Sequence, residues 1–281
     1  MPEEVALKYE IVYYPFMGTN INTERLLLMA RLCYRPIGAT DMKQLVWGEG
    51  PEGQRLDDEQ VGRFIRGLIK SGHLGALEHW HTSFAVEGYS RVSSQQNDRH
   101  RLMKMFKSPD TLPGDEGCRW INGPEQGSPD VSQLQQSQRY VKEGNFRYIT
   151  PPSFKSHPEF LERFRRLQQE IQDLQRHGLN EAGLPAEDVR FGLSNATETR
   201  FVITTNARQL RHMFNLRCCT RAQWEIRNLF NALLEEYKRI APNIFWRAGA
   251  SCDDLGYCPE GSASCGRAPT IEELRQRAGL D

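Results

Sequence analysis

The sequence predicts one mixed α/β domain. Of two runs rich in β-branched and aromatic residues, Lys8 to Tyr14 (KYEIVYY) reads as a strand and Thr199 to Thr205 (TRFVITT) as a strand or a transition. Several other segments carry apolar residues at helical spacing. No linker-like stretch divides the 281 residues, a length that allows one large domain or two small ones.

In chain order, Lys8 to Tyr14 is the first strand. Asn22 to Tyr34 is a helix: Asn22 caps it, Leu26, Leu27, Met29, Ala30 and Cys33 give apolar surface, and Pro36 stops it. Gly48 to Gly53 has a bare G-x-G-x-x-G pattern. Pro51 removes a donor, and Glu49, Glu52 and the following Asp57-Asp58-Glu59 would repel a pyrophosphate, so the segment reads as a plain loop. Asp57 to Lys70 is a helix with Val61, Phe64, Ile65, Leu68 and Ile69 on one face and Gly72 beyond its end. Thr82 to Glu87 is a short strand with Phe84 and Val86 on one side. Ser90 to about Met103 is polar but free of Gly and Pro, which suits a helix. Met103 to Val131 holds four prolines and four glycines and reads as irregular.

The second half is mainly helical. Ser156-His-Pro-Glu159 reads as a capping box opening a helix to about His177, which Gly178 ends. Phe160, Phe164, Leu167, Ile171 and Leu174 form its apolar stripe. Ala207 to Leu216 and Ala222 to Ile240 are two more helices. Ile226, Leu229, Phe230, Leu233, Tyr237 and Ile240 point inward on the second, and Pro242 closes it. From Cys252 the tail is rich in Gly, Ser and Cys.

Charge narrows the function classes. Lys+Arg and Asp+Glu number 36 each, so a general nucleic-acid coat protein is not expected. No apolar run approaches the ~20 residues of a membrane span. The start, MPEEVALKYE, lacks the layout of a secretory signal. A cytoplasmic location with reduced thiols is the expectation for the seven cysteines.

The arginines are the most informative polar residues. Arg99-His100-Arg101 is followed after the irregular segment by Gln135-Gln136-Ser137-Gln138-Arg139-Tyr140, and Arg190, Arg208 and Arg217 lie beyond. Arginine forks bind phosphate bidentately, and serine adds a neutral donor. On a helix Gln96 and Arg99 share a face. Scattered surface ion pairs are the plainer account of the same residues. His73, His79 and His81 flank Glu78 but lack the His-Glu-x-x-His spacing of zinc helices. Cys252, Cys258 and Cys265 lack the short knuckle spacing of a structural zinc site and read as packing cysteines, so no metal is expected.

Taken together, these segments resemble the flavin-dependent thymidylate synthases. The carriers are His73-Leu-Gly-Ala-Leu-Glu-His79, Gln96-x-x-Arg99-His100-Arg101, Ser132-Gln-Leu-Gln-Gln-Ser137-Gln-Arg139-Tyr140 and Phe146 to Pro152. Arg190, Asn206-Ala-Arg208, Leu216-Arg217 and Ala222-Gln-Trp-Glu-Ile-Arg227 continue the likeness, which covers roughly residues 10–250. The resemblance implies a homotetramer of α/β (α+β) subunits, each with a central sheet flanked by helices, and active sites at subunit interfaces. It divides the chain into a catalytic domain, 1–250, carrying an inserted loop at about 103–131, and a cysteine-containing tail, 251–281.

The implied reaction is FAD-dependent C5 methylation of a uracil nucleotide, dUMP to dTMP. Methylenetetrahydrofolate is the carbon donor and NADPH the reductant. The implied flavin residues are His73, Gly75, Arg99, His100, Arg101, Gln135, Asn206, Arg208 and His212. The implied nucleotide residues are Gln96, Arg99, Gln135, Ser137, Gln138, Arg139, Arg190 and Arg217. Arg217 matches the arginine that polarises the uracil ring, which is the catalytic role. The cysteines are given none.

Three departures stand out against this resemblance. The serine expected at position 104 is Ser132, 28 residues later. Gly75 replaces a Thr or Ser, and Ser194 replaces a proline. The insertion could be a lid, a selectivity element or an oligomer contact. A UMP C5-methylase of nucleoside-antibiotic biosynthesis is the alternative reading. A non-catalytic nucleotide- or RNA-binding paralogue is the distant one, disfavoured by retention of the flavin and ring-polarising residues.

Overall fold

The computed structural model describes residues 2–35, 38–47, 56–97, 131–140 and 145–279. Pro36, the loop at 48–53, Arg99, His100, Arg101 and the insertion up to residue 130 lie outside the described residues.

A two-residue strand, β1 (Glu3–Glu4), precedes β2 (Lys8–Tyr13). Residues Thr23–Cys33 then form a helix as expected, but of 3₁₀ type. Asn22 caps it by accepting the Glu24 N–H at 2.9 Å. Runs longer than three or four residues are uncommon in this conformation. Two buried charges hold this one. Arg25 donates to the carbonyls of Leu45, Val46 and Leu56, and Glu24 accepts from the main chain of Asn243 and Ile244. The tighter winding shifts the inward face: Leu27 and Leu28 are buried while Cys33 is exposed.

Next come α1 (Ala39–Trp47) and α2 (Asp58–Lys70). In α2 Asp57 and Gln60 form a capping box, and Val61, Ile65 and Leu68 are buried. A 3₁₀ turn at Leu74–His79 leads into β3 (His81–Ser90), which extends beyond the expected strand at both ends. The short α3 (Arg91–Asn97) follows directly. After the insertion, β4 (Val131–Gln135) is a strand that begins on the last residue assigned to the irregular segment. β5 (Arg147–Tyr148) pairs in parallel with β1.

The long α4 (Pro158–Arg176) corrects two expectations. Ser156 is not the cap: its hydroxyl donates to the Ser153 carbonyl, and His157 precedes the first turn. Gly178 does not end the helix, which widens into a π turn at His177–Glu181. The expected apolar stripe is also largely outward. Phe160, Leu167 and Leu174 are 54%, 49% and 57% exposed, whereas Gln168, Gln172 and Gln175 are buried. These amides have partners: Gln168 accepts from Ser194, Gln172 donates to Asn145, and Gln175 donates to the Val189 carbonyl.

The short α5 (Ala186–Val189) precedes β6 (Glu198–Asn206), α6 (Ala207–Arg217) and α7 (Trp224–Ile240). The tail is more regular than its composition suggests, with α8 (Ser251–Leu255) and α9 (Ile271–Arg277).

The main sheet has the order β2-β3-β6-β4, with all three pairings antiparallel. One face carries Phe84, Val86, Phe201 and Ile203 into the core, where they join residues of α6 and α7. Trp80, Phe214, Phe230, Tyr237 and Phe245 form edge-to-face and tilted aromatic contacts there. Such geometry adds to the gain from area burial. Gly88 lies where the β3–β6 register slips, with φ +67°, and a Cβ there would stand 1.8 Å from the Ala6 carbonyl oxygen. Only glycine fits that backbone approach.

Candidate active site

Antiparallel pairing of β3 with β6 sets up the site. His81 stands opposite Asn206, so the segment before β3 and the helix after β6 emerge side by side. The Ala207 N–H donates to the Trp80 carbonyl at 2.8 Å, closing that corner. At the other end Ser90 stands opposite Glu198, and the chain turns into α3.

The first corner gathers His73, Gly75, Asn206 and Arg208. His73 is exposed; its Nδ1 shares a 2.6 Å hydrogen bond with the Tyr34 hydroxyl, and the two rings stack at 5.8 Å. A Cβ on Gly75 would meet nothing within 4 Å, so the space beside it is open. Arg208 pairs with Glu78 of the same His-Leu-Gly-Ala-Leu-Glu-His segment. Asn206 caps α6 by accepting the Gln209 N–H at 2.9 Å. His212 lies one turn beyond Arg208 and is exposed.

The second corner gathers Gln96, Gln135 and Arg217 around α3. Arg217, the last residue of α6, donates from Nη2 to the Gln96 carbonyl at 2.9 Å. Gln135 stands opposite Phe201 on the core side of the sheet. From there its amide donates to Ser94 Oγ at 2.8 Å and Thr199 Oγ1 at 2.9 Å. Tyr89 is buried. Burial and then the Glu225 carboxylate push its pKa up, and Arg217 opposes them.

A third group is more exposed. Ser137, Gln138 and Arg139 form the turn after β4, and Ser137 Oγ accepts the Arg139 N–H. Arg139 makes a two-point pair with the Glu187 carboxylate, at 2.9 and 3.1 Å. Arg190 donates to the Glu187 carbonyl at 3.0 Å. One residue therefore organises both arginines. Sequence reasoning missed Tyr34, Ser94 and Glu187 as site residues, and no local motif announces them. Glu78 was visible as the acid of its segment, but its partner was not.

Arg217 also borders a cleft of about 310 Å³ shared with Cys219, Cys252, Cys258 and Cys265. Among the described residues no three His, Cys, Asp or Glu side chains converge as metal ligands. Burial pushes the Cys218 thiol up to about 12, whereas Cys265 is exposed and lowered by its hydrogen bond to Thr220. Among the described residues no helix is long and apolar enough to cross a membrane.

The family model described as thymidylate synthase complementing protein matches residues 19–243. The chain belongs to that family, the flavin-dependent thymidylate synthases. It is 34% identical over 269 residues to the flavin-dependent thymidylate synthase of Clostridium tetani, covering 90% of this chain and 92% of that one. It is 36% identical over 249 residues to that of Geobacter sulfurreducens, covering 88% and 90%. For the Nitratidesulfovibrio vulgaris enzyme the identity is 34% over 253 residues, covering 87% and 89%. The family match spans all three groups of site residues, from His73 to Arg217.

Proposed function

We propose that this chain catalyses C5 methylation of a uracil nucleotide, dUMP to dTMP, with FAD, methylenetetrahydrofolate and NADPH. The observation that carries the reading is Arg217 held by Gln96 beside Gln135, within a chain of this family. Uracil C5 is a poor nucleophile. A guanidinium fixed beside the ring oxygen and N3 stabilises the negative charge that develops there, and a preorganised donor does so without reorganisation. Arg217 has that catalytic role.

Gln96, Gln135, Ser137, Gln138, Arg139 and Arg190 bind the nucleotide, with Arg99. Arg139 and Arg190 suit a phosphate, since a half-exposed ion pair such as Arg139–Glu187 is worth only about 0.2–1 kcal/mol and exchanges readily for a dianion. His73, Gly75, Asn206, Arg208 and His212 hold the flavin, with Arg99, His100, Arg101 and Gln135. The first corner fits such a group: it offers open space over Gly75, an exposed aromatic pair and a cation. Bound flavin supplies the hydride. No cysteine is assigned a step.

The subunits form a homotetramer in this reading. Apolar side chains left outside fit that assembly, among them Phe160, Leu167 and Leu174 of α4 and Leu134 of β4, which is 74% exposed. The catalytic domain is residues 1–250, and the 251–281 tail is tied to it by Arg211–Asp254 and by Ser251 donating to the Asn215 carbonyl.

The test is product formation from dUMP and from UMP in parallel, with FAD, methylenetetrahydrofolate and NADPH, and Arg217→Ala as the control. Preference for dUMP supports the proposal. Preference for UMP moves the chain to modified-nucleoside synthesis and directs attention to the 103–131 insertion. Turnover of neither, with flavin bound, rejects both.

A further inference from the structure

Glu225 is 3% exposed, in the first turn of α7. A buried carboxylate is costly unless donors surround it. Its donors come from the end of β3 and the start of α3. Oε1 accepts the Ser90 N–H at 2.7 Å, and Oε2 accepts the Ser90 hydroxyl at 2.5 Å and the Ser93 hydroxyl at 2.6 Å. The carboxylate is not needed to cap its own helix. Gln223 Oε1 does that, accepting the N–H groups of Glu225 and Ile226. Glu225 is therefore committed to the β3–α3 junction.

What α3 carries gives this anchor its meaning. Ser93 and Gln96 are both on α3, three residues and about 4.5 Å of helical rise apart. Gln96 presents the carbonyl that Arg217 grips, and Ser94 receives the Gln135 amide. A slip at the anchor moves both contacts together. We propose that Glu225 is a positioning residue for Arg217, acting through α3 and the Gln96 carbonyl. The inference rests on the catalytic role given to Arg217 above. The shared influence of Glu225 and Arg217 on the Tyr89 hydroxyl agrees with it.

The test uses FAD-loaded enzyme carrying Glu225→Gln or Ser93→Ala. On each sample kcat and KM for the uracil nucleotide are measured with flavin content and melting temperature. Nucleotide Kd, read from the perturbation of flavin absorbance, is compared in the wild-type and Arg217→Ala backgrounds. Glu225→Gln is expected to lower kcat at least tenfold and raise Kd severalfold while flavin content holds. Ser93→Ala should give a smaller loss. In the Arg217→Ala background the effect of Glu225→Gln on Kd should vanish, because the two act as a unit. Unchanged kcat overturns the proposal, and so does an equal Kd effect in both backgrounds. If Glu225→Gln does not fold, wild-type kcat in Ser93→Ala overturns it. An unmutated enzyme inert toward dUMP and UMP rejects the functional reading and this inference with it; an active one with unaffected variants rejects the inference alone.

Discussion

Arg217 Nη2 lies 2.9 Å from the Gln96 carbonyl oxygen, so the end of α6 is tied to α3 by a hydrogen bond from the proposed catalytic cation. Lysine keeps the charge but not the planar fork. Arg217→Lys and Arg217→Ala are both expected to reduce turnover by about 10²–10³, the usual loss for a preorganised donor. Flavin content measured on the purified variants should stay at the unmutated level. Turnover within threefold in the lysine variant would count against the role.

The Arg139–Glu187 pair competes with any phosphate for the guanidinium. Glu187→Gln should therefore lower KM for the nucleotide, by at most about fivefold given the ~0.2–1 kcal/mol of a surface pair. The gain should shrink at high salt. A rise in KM would mean that Glu187 positions Arg139 rather than restrains it.

Two glycines should separate in a thermal melt. Gly88→Ala sets a Cβ against the Ala6 carbonyl at a positive φ and should cost about 3 kcal/mol or more. Gly75→Ser enters open space and should leave the melting temperature within about 2 °C, the scale of a ±0.5 kcal/mol surface change. Flavin affinity of Gly75→Ser then reports whether the missing hydroxyl matters.

Thiol titration should rank the cysteines. Cys265, exposed and lowered, should alkylate before Cys218, whose thiol is raised to about 12. The sign for stability follows. Above the ordinary value of 9.0 the unfolded chain releases the Cys218 proton while the folded one retains it. Stability contributed by this thiol is intact below pH 9 and lost as pH rises toward 12. Urea midpoints of the unmutated chain and Cys218→Ala should converge across that window.

Much of the fold was legible because periodicity and capping agreed. In α2 the Val61–Ile65–Leu68 face and Gly72 point one way, and the structure matches, with Asp57 found as the cap rather than the first helical residue. The α7 stripe is likewise inward. In α4 the periodicity was real, but its direction was misread. A stripe says that one face differs from the other, not which side lies inside the subunit. Here the loop around Val189 and Ser194 supplies hydrogen bonds, so glutamines face it. The two residues of β5 are too few for any pattern to speak, and β4 was hidden by the Pro- and Gly-rich run before it.

For the site, residue types were legible and partners were not. Arg208 finds Glu78 across 130 positions, and Arg217 finds Gln96 across 121. The antiparallel run of β3 against β6 brings such distant segments together. No local spacing encodes it.

The Ser94–Gln135 hydrogen bond joins the two flanks of the insertion, α3 before it and β4 after it. Each flank is also secured elsewhere, α3 by Glu225 and β4 by β6. The two flanks are therefore held together by described residues on both sides. For a flexible chain closed between two fixed ends, doubling the length costs only about 0.6 kcal/mol of entropy. Changes of length within 103–130 are therefore cheap for the fold, and they leave the proposed ligand residues Arg99, His100 and Arg101 untouched in the sequence.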